Sequence, residues 1–225
     1  MESKRSCHKK CQLPASPSSV LEELDKQLEP FLTHVYVKRK QSAAFENLKR
    51  QTDKKTVLVQ VDFSENASLN AQNEIQSAHW SHSQVTLFTC FCWIDNIPQL
   101  HESLVIISDE LRHEKHGVNK YMMKIFSYLL DKYPMIETIH VFSDGASSQF
   151  KQRFLFSNLS RWEANFGVDI RWHFFATSHG KGAVDGLGGT IKRAVRAGRV
   201  FPKDAADFFT ARLIAIRLSL FFHHK

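Results

Sequence analysis

The order of strand-like and helix-like runs limits the fold of this chain more than any other feature. TVLVQVDF (56–63), QVTLFTCFCWI (84–94) and SLVIISDE (103–110) are β-branched and aromatic runs with no helical pattern between them, so they can meander antiparallel. The period then changes. GVNKYMMKIFSYLLDKY (117–133) places Tyr121, Ile125 and Leu129 on one face, flanked by Met122 and Phe126, and Pro134 stops it. TIHVFSD (138–144) reads as a fourth strand and FKQRFLFSNLSRWEANFG (150–167) as a helix closed by Gly167. DIRWHFFATS (169–178) reads as a fifth strand, and a glycine-rich turn leads into a last helix over 182–199. Strands separated by helices require parallel crossovers. The predicted fold class is therefore α/β, in the order β-β-β-α-β-α-β-α, with a mixed sheet and helices on both faces.

Four segments are predicted. Residues 1–17, charged and containing two prolines, form a disordered lead; 18–54 form a helical N-terminal segment. Within that segment Ser19 and Glu22 have capping-box spacing, Pro30 is expected to bend or end the first helix, and a basic second helix covers 38–49. Residues 55–200 form the α/β domain, and the apolar tail over 201–225 is expected to be a C-terminal helix, truncated if the chain continues. Arg212 and Arg217 interrupt the run LIAIRLSLFF, which is too short to span a bilayer, so no membrane partner is expected. The N-terminus is polar and has no apolar signal region. Four cysteines are too few for a disulfide scaffold in 225 residues, which places the protein in a reducing intracellular compartment. Thirty basic against twenty-three acidic residues leave a formal charge of +7, which favours a polyanion, nucleic acid first.

The ribonuclease-H-like fold is the best-known architecture with this element order. Its first and fourth strands lie side by side, which would bring Asp62 and Asp144 to neighbouring strand ends. Asp-Gly after a strand is also a common turn, so Asp144 alone is explained by a turn. Two carboxylates held together are another matter: they repel, and a hard divalent cation relieves them. Asp185, in SHGKGAVDGLGGTIKR (178–193), is a third acid, set where the dipole of the last helix favours negative charge.

VQVDFSEN, VFSDGASSQFK and SHGKGAVDGLGGTIKR, in this order, resemble the three acidic motifs of the DDE/D transposase and retroviral integrase superfamily. The resemblance covers about 55–200 and is similar to that of transposon-derived animal proteins. It implies a ribonuclease-H-like core binding Mg²⁺ or Mn²⁺ through Asp62, Asp144 and Asp185. It also implies DNA as partner, metal-dependent phosphodiester cleavage and strand transfer as the reaction, and the nucleus as the location. His179 and Asp109 are expected as auxiliary residues, and Lys181, Lys192, Arg193 and Arg196 as phosphate contacts. A homo-oligomer is compatible with this reading. The third acid is Asp where the commonest pattern has Glu, the gap between Asp62 and Asp144 is long, and no DNA-end-binding domain is visible. Two alternatives follow: an inactive domesticated nucleic-acid-binding protein, or a nuclease of the same fold without strand transfer.

Other signals are weaker. Gly180 and Gly182 do not complete a dinucleotide fingerprint, and no Gly-Lys-Ser/Thr follows. Cys7, His8 and Cys11, His79 and His82, and His113 and His116 have zinc-like spacing without a second pair, so they read as surface residues. Glu65, Glu74 and Glu110 read as solvated loop acids, and the four tryptophans as core.

Overall fold

The computed structural model describes residues 16–68, 84–96, 99–176, 182–196 and 212–216. Helix α1 (Pro17–Arg50) precedes strands β1 (Thr56–Ser68), β2 (Gln84–Asn96) and β3 (Gln99–Ser108). Then come α2 (Lys115–Lys132), β4 (Thr138–Ser143), α3 (Arg153–Phe166), β5 (Asp169–Phe174), α4 (Ala183–Arg196) and β6 (Arg212–Ile216).

The strands form one sheet in the order β5-β4-β1-β2-β3-β6. β1, β2 and β3 meander antiparallel, while β4 runs parallel to β1 and β5 parallel to β4. The mixed α/β sheet expected from the strand runs is present. Its largest core lies on one face: Val57, Val59 and Val61 of β1 and Phe88 and Cys90 of β2 pack against Tyr121, Met122, Ile125, Phe126 and Leu129 of α2 and Leu155 and Trp162 of α3. On the other face Leu58, Phe91, Trp93 and Phe142 meet Val184 of α4, with Phe45 and Leu48 of α1 against them. Leu187 and Ile191 of α4 continue that layer over Val85, Leu87, Val105 and Ile107. Alternation along a strand sets these two faces, so one residue of slippage would exchange them.

Three expectations are corrected. Residues 212–216 are not helical: they form β6, antiparallel to β3, with Val105 opposite Ile214. The outer edge of β3 carries backbone groups that need partners, and the β-branched run LIAI suits them better as a strand than as a helix. The N-terminal segment is one helix of 34 residues, with Pro30 inside it. Proline removes one helical hydrogen bond, but Pro30 is exposed, so water can satisfy the freed carbonyl. The N-cap is Ser16, whose side chain accepts from the Ser19 N–H at 3.2 Å, with Pro17 just after it; Ser19 is not the cap.

Helix α4 lies close across β1. A Cβ on Gly188 would stand 2.8 Å from Ser64 Oγ and 3.2 Å from Ser64 Cβ, whereas one on Gly186 would meet nothing within 4 Å. The two glycines of one helix should therefore respond oppositely. Gly186→Ala is expected to stabilise by roughly 0.5–1 kcal/mol through helix propensity. Gly188→Val should destabilise by about 1–3 kcal/mol, because α4 must lift from the sheet. Chemical denaturation of both variants beside the parent checks the pair.

Candidate functional site

The last paired positions of β1 and β4 are Gln60 and Phe142. Asp62 and Asp144 each lie two residues beyond them, so the register carries them to equivalent positions on adjacent strands. Both share the face of Leu58 and Phe142, the face that α4 covers. Asp62 was expected at the end of its strand and is not there: β1 continues to Ser68, and it is β4 that stops at Ser143, one residue before Asp144.

The Asp62 carboxyl is pushed up to about 7. Burial is the largest cause, and the negative charge of Asp144 follows; a hydrogen bond with the Phe63 backbone opposes them, and Asp185 adds further repulsion. Two of the acids named from the sequence thus bear on the third, Asp185 from more than a hundred residues away in the chain.

Asp185 sits in the first turn of α4 and accepts from the Gly182 N–H at 2.7 Å. Glycines bracket it: a Cβ on Gly182 would come within 3.1 Å of the Gln60 side-chain amide, and Gly188 lies over Ser64. Because Gln60 and Ser64 flank Asp62 on β1, these contacts hold the first turns of α4 across that acid. The Asp144 carboxylate accepts from the Ala146 N–H at 3.2 Å, as a turn aspartate does. Each of these two acids therefore also serves its local backbone. Among the described residues no group of three or more His, Cys, Asp or Glu side chains stands ready to hold a metal ion. The donor chemistry nonetheless suits a hard divalent cation, since Asp62 and Asp144 are hard oxygen donors whose mutual repulsion such an ion would cancel.

Beside Asp185 opens a cavity of about 900 Å³ between the end of α1, the β2–β3 face and α4. Phe91, Trp93 and His101 form its aromatic side, and Lys49 and Arg193 supply positive charge. Lys49 Nζ lies 5.2 Å from the Trp93 ring centroid, and Phe91 stacks on His101 at 5.3 Å. Arg193 was expected here. Lys49 and His101 were not, because no local pattern shows that the end of α1 and the start of β3 reach α4.

The remaining expected residues divide. Lys192 is not a free phosphate contact: it pairs with Glu65 at 3.1 Å and its side chain is only 22% exposed. Asp109 follows the end of β3, and β3 borders β2 and β6, so the adjacency to β1 on which its auxiliary role depended is absent. His179 and Lys181 lie outside the described residues, as do Glu74, Trp80 and the pairs at Cys7, His8, Cys11, His79 and His82; the side chain of Arg196 does too. Glu110 holds Arg112 at 3.2 Å. His113 bonds Asn66 at 2.7 Å and stacks on Phe63 at 4.5 Å, and burial lowers its pKa. Its role is packing. Trp162 is core, and Trp172 packs against it and donates to Ser143 Oγ at 3.0 Å.

The raised carboxyl of Asp62 gives a pH signature. The folded state keeps the proton up to about pH 7, while the unfolded chain releases it near the ordinary aspartate value of 3.8. Between those values the folded state binds more protons, so stability falls as pH rises through the window. The loss is on the order of 3 kcal/mol by pH 8, allowing for partial solvent contact. Asp62→Asn should therefore raise the melting temperature at pH 8 by more than at pH 5, in metal-free buffer. Equal effects at both pH values would contradict the charge crowding.

No curated protein matches the chain. Residues 41–212 match a family described as a domain of unknown function, DUF8701. This span holds β1 to β5, all three aspartates and the lining of the cavity, and by it the chain belongs to the DUF8701 family.

Proposed function

We propose that this chain is a ribonuclease-H-like, transposase-derived DNA-processing domain that cleaves phosphodiester bonds and transfers strands with Mg²⁺ or Mn²⁺. The observation that carries the reading is the raised carboxyl of Asp62, half-buried under α4 with the charges of Asp144 and Asp185 acting on it. A protein that only binds phosphate gains nothing by gathering negative charge where its ligand sits. The strand order, with three antiparallel strands followed by two parallel ones beside β1, supports the ribonuclease-H-like assignment. The formal charge of +7 supports a polyanion as substrate.

Asp62 and Asp144 would hold the ion, with Asp185 completing the set from α4. A bound divalent ion supplies Lewis-acid activation of water and charge neutralisation at the phosphate. The chain's own residues do the rest. Asp62, which holds its proton up to about pH 7 in the metal-free fold, would give that proton up for its carboxylate to hold the ion. Arg193 and Lys49, at the cavity, draw the DNA backbone toward the acids. The glycines of α4 let that backbone approach without side chains in the way. The exposed run Val37–Lys40 fits a nuclear address.

A second reading, an inactive nucleic-acid-binding remnant, is favoured by one observation: Asp144 and Asp185 already satisfy local amides. Metal response separates the two. For a catalytic domain, Mn²⁺ at one hundred times its Kd should stabilise the fold by about 2.7 kcal/mol, and Asp144→Asn should lose that gain. A binder that retains DNA affinity without a Mn²⁺ shift supports the second reading. Activity is tested with labelled duplex DNA and a supercoiled plasmid in Mn²⁺. Cleavage and joining of a 3′-hydroxyl end are expected, with Asp144→Asn at least about 100-fold slower, since loss of a direct ligand should cost more than loss of its support. Cleavage without joining would leave the plain nuclease.

A further inference from the structure

The aromatic side of the cavity beside Asp185 takes no part in the chemistry assigned to the acids. Phe91 and Trp93 stand two apart on β2, so they face the same way, and His101 of β3 is paired directly opposite Trp93. The His101 ring lies within 13° of parallel to Phe91, at 5.3 Å between centroids. One face of the imidazole is thus occupied by Phe91, and among the described residues no other ring covers the second face. Phe91 and Trp93 are 7% and 8% exposed, whereas His101 is only half-buried, so His101 is the ring that a ligand can reach.

Polar groups at the same cavity lack partners. The Ser103 hydroxyl lines it from a residue only 3% exposed and has no hydrogen-bond partner among the described residues. A buried hydroxyl left so is destabilising, and a ligand that bonds it removes the penalty. Lys49 lies over the Trp93 ring, and Arg193 donates to Thr190 Oγ1 at 3.1 Å. Neither cation pairs with a carboxylate among the described residues. The lining therefore sets two cations against one acid, Asp185, which already accepts from the Gly182 N–H. An anion is favoured there.

We infer that this cavity is a nucleotide pocket: the base stacks on His101, its polar edge meets Ser103, and Lys49 and Arg193 attract its phosphate. A planar ring, a hydrogen-bonding edge and a negative charge are together what a nucleotide offers. At about 900 Å³ the cavity is of small-ligand size. A duplex cannot use it, because paired bases are stacked on one another and cannot reach an inner wall. The nucleotide is therefore free or unpaired in a strand. A strand as its source rests on the DNA-processing reading; the pocket itself does not, since it needs no divalent ion.

Calorimetry of the full chain in EDTA tests the pocket. The probes are deoxyadenosine 5′-monophosphate, deoxyribose 5-phosphate, and an oligonucleotide of about 12 nucleotides, single-stranded and as duplex. The nucleotide is expected to bind at least about 10-fold tighter than the sugar phosphate, which has no base to stack. His101→Ala should weaken the nucleotide and the single strand by about 5- to 150-fold, while duplex affinity stays within about twofold. His101→Phe should keep the parent affinity, because it keeps the stack. Should His101→Ala lose its thermal melt, the exposed Arg193→Gln is the second variant, with nucleotide binding about 10-fold weaker. A single strand that binds through His101 identifies a strand as the source; the free nucleotide binding alone identifies a free nucleotide. No binding of either, equal affinity for nucleotide and sugar phosphate, or a folded His101→Ala that binds like the parent would each overturn the inference. Loss of the Mn²⁺ response with this pattern intact would sink the ion site and leave the pocket standing.

Discussion

Repulsion between carboxylates on adjacent strands is the constraint around which the covered face of this sheet is arranged. Asp62 on β1 and Asp144, one residue past β4, each lie two residues beyond the last paired positions of these strands, Gln60 and Phe142. Burial and proximity together keep a proton on Asp62 to near neutrality. Water would remove much of this strain if the site were open, but α4 crosses β1 at glycine distance and keeps part of it out. The helix that closes the site also brings the third acid and Arg193. A glycine-poor α4 could not lie so near, and Asp185 would stand too far away to be felt by Asp62.

Much of this arrangement was legible because its signals are local. β-branched runs mark β1 to β5, and the change from strand to helix period marks the crossovers. That β4 lies beside β1 was expected from the likeness of this order to the ribonuclease-H-like arrangement, and the strand pairing has it so. What could not be read depends on partners distant in sequence. β6 exists because the edge of β3 needs a partner, and nothing within 212–216 says so. Lys192 was expected to face phosphate, but Glu65, far away in the chain, pairs with it. Pro30 looked like a boundary, yet an exposed helix tolerates the lost hydrogen bond that a buried one would not.

Helix α1 joins two kinds of behaviour in one element. Its last turns belong to the sheet: Phe45 meets Trp93, Phe142 and Phe175 at ring separations of 5.0–5.4 Å, and Lys49 reaches the cavity. Its first turns are amphipathic without a surface to cover. The family match begins at residue 41, where those last turns start, so the projecting half lies outside the matched span. Packing therefore defines the boundary of the domain more sharply than secondary structure does. The helix passes through it unbroken.

Asp144 and Asp185 each have an ordinary explanation. One caps a turn and the other caps a helix, and a chain with no activity could keep both for those reasons. Asp62 has neither explanation. It lies within β1, six residues before the strand ends, where aspartate is disfavoured and an apolar or β-branched residue would stabilise the sheet. It makes no turn and caps no helix, and its two nearest acids make its charge worse. Thr89 opposite it on β2 spends its hydroxyl on the Asp62 carbonyl at 3.0 Å, so that bond supports the strand and not the carboxylate. A residue that opposes the stability of its own fold at this position is the one that the proposed metal site would explain. The functional reading therefore rests on Asp62 more than on the two aspartates whose motifs are easier to see.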